Sequence, residues 1–323
     1  MPFLLPVITT WAEWGRVFTN IAQWTSAVRE ICRRHHLPVE QVEAGYPGTH
    51  AVFVVDETYV VKIYTPLSPE DFSLECELYT LLGANPRLRV PQLLAHGILK
   101  DQIDWPYIVM AFKPGLPIRE ARTLIPHRNL LRIASELGEI VRELHRVPFA
   151  SLTSLAHTQA SWQQYVRQRQ AEVAETALWE GILPEPIVAE IPGFLAAALA
   201  GAEEVPLALL NGDLTEDHIL LVQRDGRWRI SGLIDFGDAL VGARDYEWIA
   251  LWFSALDRDY EELATFMTAY DPHLKLDDAF FTRAMAFTFL HEFGPDILAL
   301  TLKAMGQPQI ESLQELQALL WES

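Results

Sequence analysis

Between residues 9 and 36, Ile21, Trp24, Val28 and Ile31 recur at spacings of three and four, with His35 next in the same register. That period predicts a helix over 9–36, and Thr9 or Thr10 could cap its start. The period then changes. Val52, Val54 and the run Tyr59-Val60-Val61-Lys62-Ile63-Tyr64 are β-type, and Asp56-Glu57 between them predicts a hairpin turn. Phe72, Leu74, Leu78, Leu81 and Leu82 return to helical spacing over 68–83. Tyr107-Ile108-Val109-Met110 predicts another strand, with Val90 to Leu94 as an extended lead-in.

Lys113-Pro114-Gly115-Leu116-Pro117 breaks this pattern and predicts a boundary. Beyond it, helices are expected at 127–146, 160–176, 186–200, 243–255, 259–270, 278–293 and 310–321. A single β insert is expected among them: Ile219 to Val222, a turn at Asp225-Gly226, and Trp228 to Ile234. The expected class is α+β, with two lobes. A small N-terminal lobe, 1–112, carries an antiparallel sheet and the helical extension 9–36. A linker at 113–118 leads to a larger, mainly helical C-terminal lobe, 119–323.

Composition narrows the functional classes. Half of the 323 residues are hydrophobic, enough for a large core. A formal net charge of −18 with no compensating basic face argues against a nucleic-acid role. The same surplus would attract cationic ligands, or serve solubility alone. Cys32 and Cys76 form no CxxC motif, as suits a reducing, cytoplasmic setting. Met1 to Thr10 has neither a basic n-region nor a small-residue cleavage site, so no signal peptide is expected. No uncharged apolar run reaches the length of about eighteen residues that a membrane helix needs, so no membrane partner is expected.

The candidate chemistry centres on two short stretches. One is Asn211-Gly212-Asp213-Leu214-Thr215-Glu216-Asp217-His218, leading into Ile219-Leu220-Leu221; the other is Gly232-Leu233-Ile234-Asp235-Phe236-Gly237-Asp238. Each sets an aspartate in a polar loop beside a β-type run, and pairing of the intervening hairpin would bring the two together. Phosphoryl transfer needs clamped phosphates, a bridging metal and an aligned acceptor hydroxyl. Asp213 could orient that hydroxyl and take its proton, or simply make a turn. Asp235 ends a strand expected to be buried, so a cation should meet it; a phosphate-bound metal would serve, as would a cap onto Phe236-Gly237. Lys62 faces the same side as Val60 and Tyr64 and could meet phosphates. Glu75 is its expected partner, with Glu77 as the competing choice. Gly45 and Gly48, with Thr49 beside them, could let backbone amides approach phosphates, or be only a turn.

Together these residues resemble the aminoglycoside phosphotransferase family, small-molecule kinases with a protein-kinase-like fold. The resemblance rests on Lys62, Glu75, the Asn211-to-Leu221 loop and Ile234-Asp235-Phe236-Gly237. Supporting matches are Tyr107 to Met110 running into Pro114-Gly115, Gly138 to Val147, and Gly242-Ala243-Arg244-Asp245-Tyr246. The likeness covers about 40–255 in order. It implies a site for ATP or GTP between lobes, with Mg2+ or Mn2+. Lys62 would meet the α and β phosphates, held by Glu75, and main chain from Met110 through Ala111 to Phe112 would meet the nucleobase. Asp213 would be the catalytic aspartate and Asp235 the magnesium ligand.

Two positions depart from the family pattern: Asn211 replaces the usual histidine, and His218 replaces the asparagine that usually serves as second metal ligand. Imidazole suits Mg2+ poorly. His218 could bind metal, tolerate Mn2+ better, or bond to Asp213 or a phosphate, and some macrolide phosphotransferases are similar in having histidine here.

The expected acceptor is a hydroxyl on a small molecule, an aminoglycoside-like antibiotic, a macrolide or an amino alcohol, and a cationic one would suit the acidic surplus. Asp257, Asp259, Glu261, Glu262, Asp271, Asp277, Asp278 and Glu292 could line such a site or be solvated helix faces. Trp248, Leu251, Trp252 and Ala255 form a stripe expected to be core, with a greasy acceptor pocket as the alternative. Two further readings compete: a nucleotide-binding pseudokinase with a regulatory role, and a protein kinase. The second is disfavoured because no Ala-Pro-Glu segment follows Asp235.

Overall fold

The computed structural model describes residues 5–46, 48–200 and 205–321. The chain divides into two compact units: 1–115 with 152–154 and 231–237, and 116–151 with 155–230 and 238–323. Residues Met1 to Leu4, part of the segment read for a signal peptide, and Pro47, in the glycine loop, lie outside the described residues.

The first unit is built on a five-stranded sheet with order β1-β2-β3-β5-β4. Its strands are β1 (Val42–Ala44), β2 (Ala51–Val55), β3 (Tyr59–Ile63), β4 (Leu93–Lys100) and β5 (Asp104–Ala111), every neighbouring pair antiparallel. Asp56 and Glu57 form the expected turn, with φ of 52° and 46°. Positive φ at both central residues is what a two-residue turn requires if its twist is to match the strands. β1 and β4 were not expected as strands. β4 lies at the sheet edge, exposes Leu94 and Ile98, and carries His96 and Gly97 mid-strand, which blurs its alternation.

The N-terminal segment is two helices, Trp11–Val17 and Ile21–Arg34, not one. Thr10 caps the first through a capping box with Glu13. The break follows from packing. Trp14 and Trp24 would be about 15 Å apart along a continuous helix, yet their ring centroids lie 5.7 Å apart. Both pack with Trp105 and Phe53 in the core of this unit, while Trp11 stays exposed. Helix Pro69–Gly83 buries Glu75, Leu78, Tyr79 and Leu82 at i, i+3, i+4 and i+7.

The second unit is mainly helical. Its helices His127–Leu144, Gln159–Val173, Glu185–Ala198, Tyr260–Tyr270, Asp278–Leu290 and Leu313–Trp321 follow the expected pattern with shifted ends. A further helix, Gly294–Ala304, is not among the expected ones; Pro295 in its first turn ends the preceding run and starts the new one. The expected helix at 243–255 is instead strand, a 3-10 turn at Arg244–Tyr246, one α turn at Glu247–Ala250 and a π turn at Leu251–Ala255. β6 (Leu116–Pro117), β8 (Ile219–Arg224) and β9 (Arg227–Leu233) form a three-stranded sheet in the order β6-β8-β9. The β8–β9 turn is Asp225-Gly226, as expected, with φ of 50° and 70°. β7 (Leu207–Leu210) and β10 (Leu240–Ala243) pair antiparallel, with Leu210 opposite Leu240. Among the described residues no helix is long and apolar enough to cross a membrane.

Candidate functional site

Lys62 stands mid-strand on β3, between Val52 of β2 and Ile108 of β5. Its Nζ lies 2.5 Å from Glu75 Oε1 and 3.3 Å from Asp235 Oδ1. Glu75 is fully buried, and its Oε2 accepts the Tyr64 hydroxyl at 2.6 Å. Burial alone would depress the Lys62 ammonium, but the Asp235 and Glu75 carboxylates outweigh it and raise its pKa, so it stays charged at neutral pH. Glu77 is on another face of the helix. Its carboxylate accepts the backbone N–H of Thr153 at 2.8 Å and of Ser154 at 3.0 Å. Of the two acids weighed as the lysine's partner, Glu75 is the one beside it.

Asp235 follows β9 and adopts φ of +59°, a left-handed conformation that aspartate tolerates better than most residues. The next residue, Phe236, is fully buried and meets Tyr79 edge to face, with ring centroids 5.9 Å apart. Tyr79 also bonds to the Asp235 backbone. The Gly237 N–H reaches Asp235 Oδ1 at 3.3 Å. Asp235 therefore caps its own turn and also faces a cation. Its side chain remains 39% exposed, so the carboxylate is held without being sealed from solvent.

In the second unit several peptide groups of the loop after β7 are engaged around Asp213. The Asn211 N–H donates to Glu247 Oε2 at 2.9 Å, and Asn211 Oδ1 accepts the Asp213 N–H at 3.1 Å. Gly212 adopts φ of +83°, and a Cβ there would lie 2.4 Å from the Asp238 carbonyl oxygen, so only glycine fits. The Gly212 carbonyl accepts from His291 Nε2 at 3.1 Å. The Asp213 carbonyl accepts the Thr215 N–H at 2.8 Å and His218 Nδ1 at 2.7 Å. Among the roles weighed for His218, a bond to Asp213 is realised, through the backbone. That bond puts the proton of a neutral ring on Nδ1 and leaves its lone pair on Nε2.

Most of the remaining expected residues have structural partners. A Cβ on Gly45 would lie 2.6 Å from Val52 Cγ1, so close strand packing requires that glycine; Gly48 has nothing within 4 Å of the same position. The Thr49 carbonyl accepts Trp14 Nε1 at 2.7 Å. Met110 is buried, and the N–H groups of Ala111 and Phe112 donate to the carbonyls of Gln92 and Thr58, each at 2.9 Å. Asp259 and Asp277 cap helices. Glu262 is buried, with both oxygens on Arg122 at 2.8 and 3.2 Å. His127 joins Asp259 and Glu262 in a close cluster, but these two carboxylates already serve a helix cap and an arginine. Trp248, Leu251, Trp252 and Ala255 are all buried, as core.

Tyr64, Tyr79, Glu247 and His291 were missed. An acid amid Tyr246, Trp248 and Ile249, and a histidine closing the apolar run Ala284 to Leu290, were the available signals. Both are buried polar groups that need partners, and both find them on the Asn211–Asp213 backbone.

Residues 39–280 match the phosphotransferase enzyme family. Solved structures share the fold at low identity. The GDP complex of wild-type aminoglycoside 2'-phosphotransferase-IIIa is 19% identical, with 93% of this chain and 97% of that chain covered and a TM-score of 0.68. The GDP and kanamycin complex of APH(2")-IIia is 18% identical, with 88% and 92% covered and a TM-score of 0.68. The streptomycin-ATP-APH(2")-IIa ternary complex is 17% identical, with 82% and 87% covered and a TM-score of 0.57. A curated relative, Lysine-specific demethylase JMJ21 of Arabidopsis thaliana, is 19% identical over 358 residues. The match takes in 78% of this chain but spans only 38% of that protein. The architecture is the mixed α+β, kinase-like fold of these phosphotransferases.

Proposed function

Because the chain belongs to the phosphotransferase enzyme family, we propose that it transfers the terminal phosphoryl group of ATP or GTP to a hydroxyl of a small molecule. The observation that carries this reading is the meeting of Lys62, Glu75 and Asp235, drawn from three separate segments onto one buried ammonium. A lysine held charged between two carboxylates is suited to neutralise phosphate oxygens. In this reading Glu75 aims Lys62, and Asp213 orients the acceptor hydroxyl and takes its proton as the new phosphorus–oxygen bond forms and the bond from that phosphorus to the departing ADP or GDP breaks. Asp213 is suited to that role because its backbone is held and its side chain, 21% exposed with the His218 ring 3.5 Å from Oδ2, still reaches solvent.

Asp235 would hold the metal, with His218 as the second ligand we propose; when bound, the metal would offset the charge of the phosphates. Taken singly, each donor suits a divalent cation, with one qualification from its chemistry. Asp235 offers oxygen, which Mg2+ prefers, whereas His218 offers imidazole Nε2, which suits Mn2+ better. The N–H groups of Ala111 and Phe112 are bonded to the carbonyls of Gln92 and Thr58, so a nucleobase would meet other backbone groups near Met110 to Phe112. The net charge of −18 favours a cationic acceptor of the aminoglycoside or amino-alcohol kind. The buried Trp248-to-Ala255 stripe removes the feature that had favoured a bulky apolar one.

The test is nucleotide turnover with Mg2+ or Mn2+ across aminoglycosides, macrolides and amino alcohols, with calorimetry of nucleotide binding. Asp213→Ala is expected to lose turnover while keeping nucleotide affinity, and Asp235→Ala to lose metal-dependent nucleotide binding. Equal nucleotide affinity in the two variants would contradict the separate roles. Nucleotide binding without turnover on any acceptor would favour the pseudokinase reading, and no nucleotide binding at all would end both. His218→Asn is expected to keep or raise Mg2+-dependent turnover; a collapse would show that the imidazole has a specific role.

A further inference from the structure

His291 follows helix Asp278–Leu290 and is fully buried. Its ring stacks on Tyr246, with centroids 4.5 Å apart and planes 20° from parallel. Nδ1 accepts the Phe293 N–H at 3.2 Å, so the proton of the neutral ring belongs on Nε2. That Nε2–H donates to the Gly212 carbonyl. Burial pushes the imidazole down to about 4, against the favourable pull of the Gly212 carbonyl, and Arg169 adds to the depression. Arg169 itself bonds the carbonyls of Leu290 and His291 at 3.0 and 2.9 Å, which holds the segment that carries the ring. The ring is neutral at pH 7, with one donor and one acceptor, both in use.

The Gly212 carbonyl and the Asp213 N–H belong to one peptide plane. His291 holds the carbonyl pole, and Asn211 Oδ1 holds the N–H pole. With both poles held, ψ of Gly212 and φ of Asp213 are fixed, and these are the two torsions that set where the Asp213 Cα and its carboxylate lie. No side chain on residue 212 could substitute for the clamp, because the Asp238 carbonyl leaves no room for a Cβ. We propose that His291 is a positioning residue: its Nε2–H fixes the Gly212–Asp213 peptide and so aims the Asp213 carboxylate at the acceptor hydroxyl. This rests on the assignment of Asp213 to the acceptor.

The experiment compares His291→Leu, which removes the donor, with His291→Gln, which can restore it, in the full chain, with Asp213→Ala as control. One readout is amide exchange of segment 211–214, which needs no turnover. The other is kcat and KM with MgATP and kanamycin, or MgATP hydrolysis alone if kanamycin is not phosphorylated. In His291→Leu, exchange at Asp213 is expected to quicken by about tenfold or more. Its kcat should fall by about 10- to 100-fold with KM for ATP within about twofold. His291→Gln should recover most of both. Wild-type exchange and kcat in the leucine variant would overturn the proposal. So would equal losses in both variants, because volume and not the donor would then carry the effect. If the leucine variant does not fold, the glutamine variant decides alone: retained kcat supports the proposal and lost kcat overturns it. Undiminished turnover in Asp213→Ala would instead defeat the phosphoryl-transfer reading, and the exchange data would still report on the clamp.

Discussion

In the first unit a carboxylate, Asp235, is held beside a buried ammonium; in the second, Asp213 sits on a backbone held by a buried acid and a neutral imidazole. The first arrangement works by opposite charge. Lys62, Glu75 and Asp235 depend on one another, since each of the buried pair would be costly alone. The second works mainly by geometry: Glu247, His291, Asn211 and His218 bind peptide groups, while the partly exposed Asp213 carboxylate has the His218 imidazole 3.5 Å from its Oδ2. A carboxylate that must meet a cation can be placed by charge. One that must meet a neutral hydroxyl gains nothing from a fixed counter-charge, and is better placed through its own backbone.

The sharpest way to break this contrast is to remove charge from the first region. Lys62→Met leaves Glu75 with only the Tyr64 hydroxyl, and unfolding free energy should fall by about 3–5 kcal/mol in urea titrations. Adding Glu75→Leu should restore much of that loss; a double variant as unstable as the single one would show that the pair is held by packing and not by charge.

Smaller by expectation is the pH response of the second region. The folded His291 ring resists protonation down to about 4, whereas the unfolded ring takes its proton near 6.5. Between those values the unfolded state binds more protons, so stability is full above pH 6.5 and falls as pH drops toward 4. The size at pH 4 is roughly 3 kcal/mol. His291→Gln should lack this component, which the difference between its stability and that of the wild type at pH 7 and pH 4.5 would reveal; parallel pH curves would count against a neutral ring.

The smallest effect is expected at Asn211, where replacement by alanine frees one peptide N–H. Asn211→Ala should cost about 1 kcal/mol. A much larger loss would mean that the two poles of the Gly212–Asp213 peptide are strongly coupled.

Much of the frame was legible in the chain. The Asp56-Glu57 and Asp225-Gly226 turns, the helix carrying Glu75 and the buried Trp248-to-Ala255 stripe follow from local periodicity and turn chemistry. The misreadings have physical causes. The helix break at Phe18 to Asn20 depends on where Trp14 must meet Trp24, which spacing along the chain does not encode. β4 hides its pattern because an edge strand is only half covered. The segment 243–255 has helical spacing, but pairing of Leu240–Ala243 with β7 takes its start into a sheet.

By itself, then, the sequence determined which residue types could do chemistry: a lysine within a strand, a glutamate on the following helix, and two aspartates in loops, each beside β-type residues. These depend on local pattern, and local pattern is written along the chain. Only the tertiary structure decided their partners. It chose Glu75 over Glu77 for Lys62, turned Nδ1 of His218 onto the Asp213 carbonyl, and brought Glu247 and His291 to the backbone beside Asp213. Those choices fall to folding because a buried polar group takes whichever partner the packing delivers, however distant in sequence, and leaving it without one costs more than the bend or turn that supplies it.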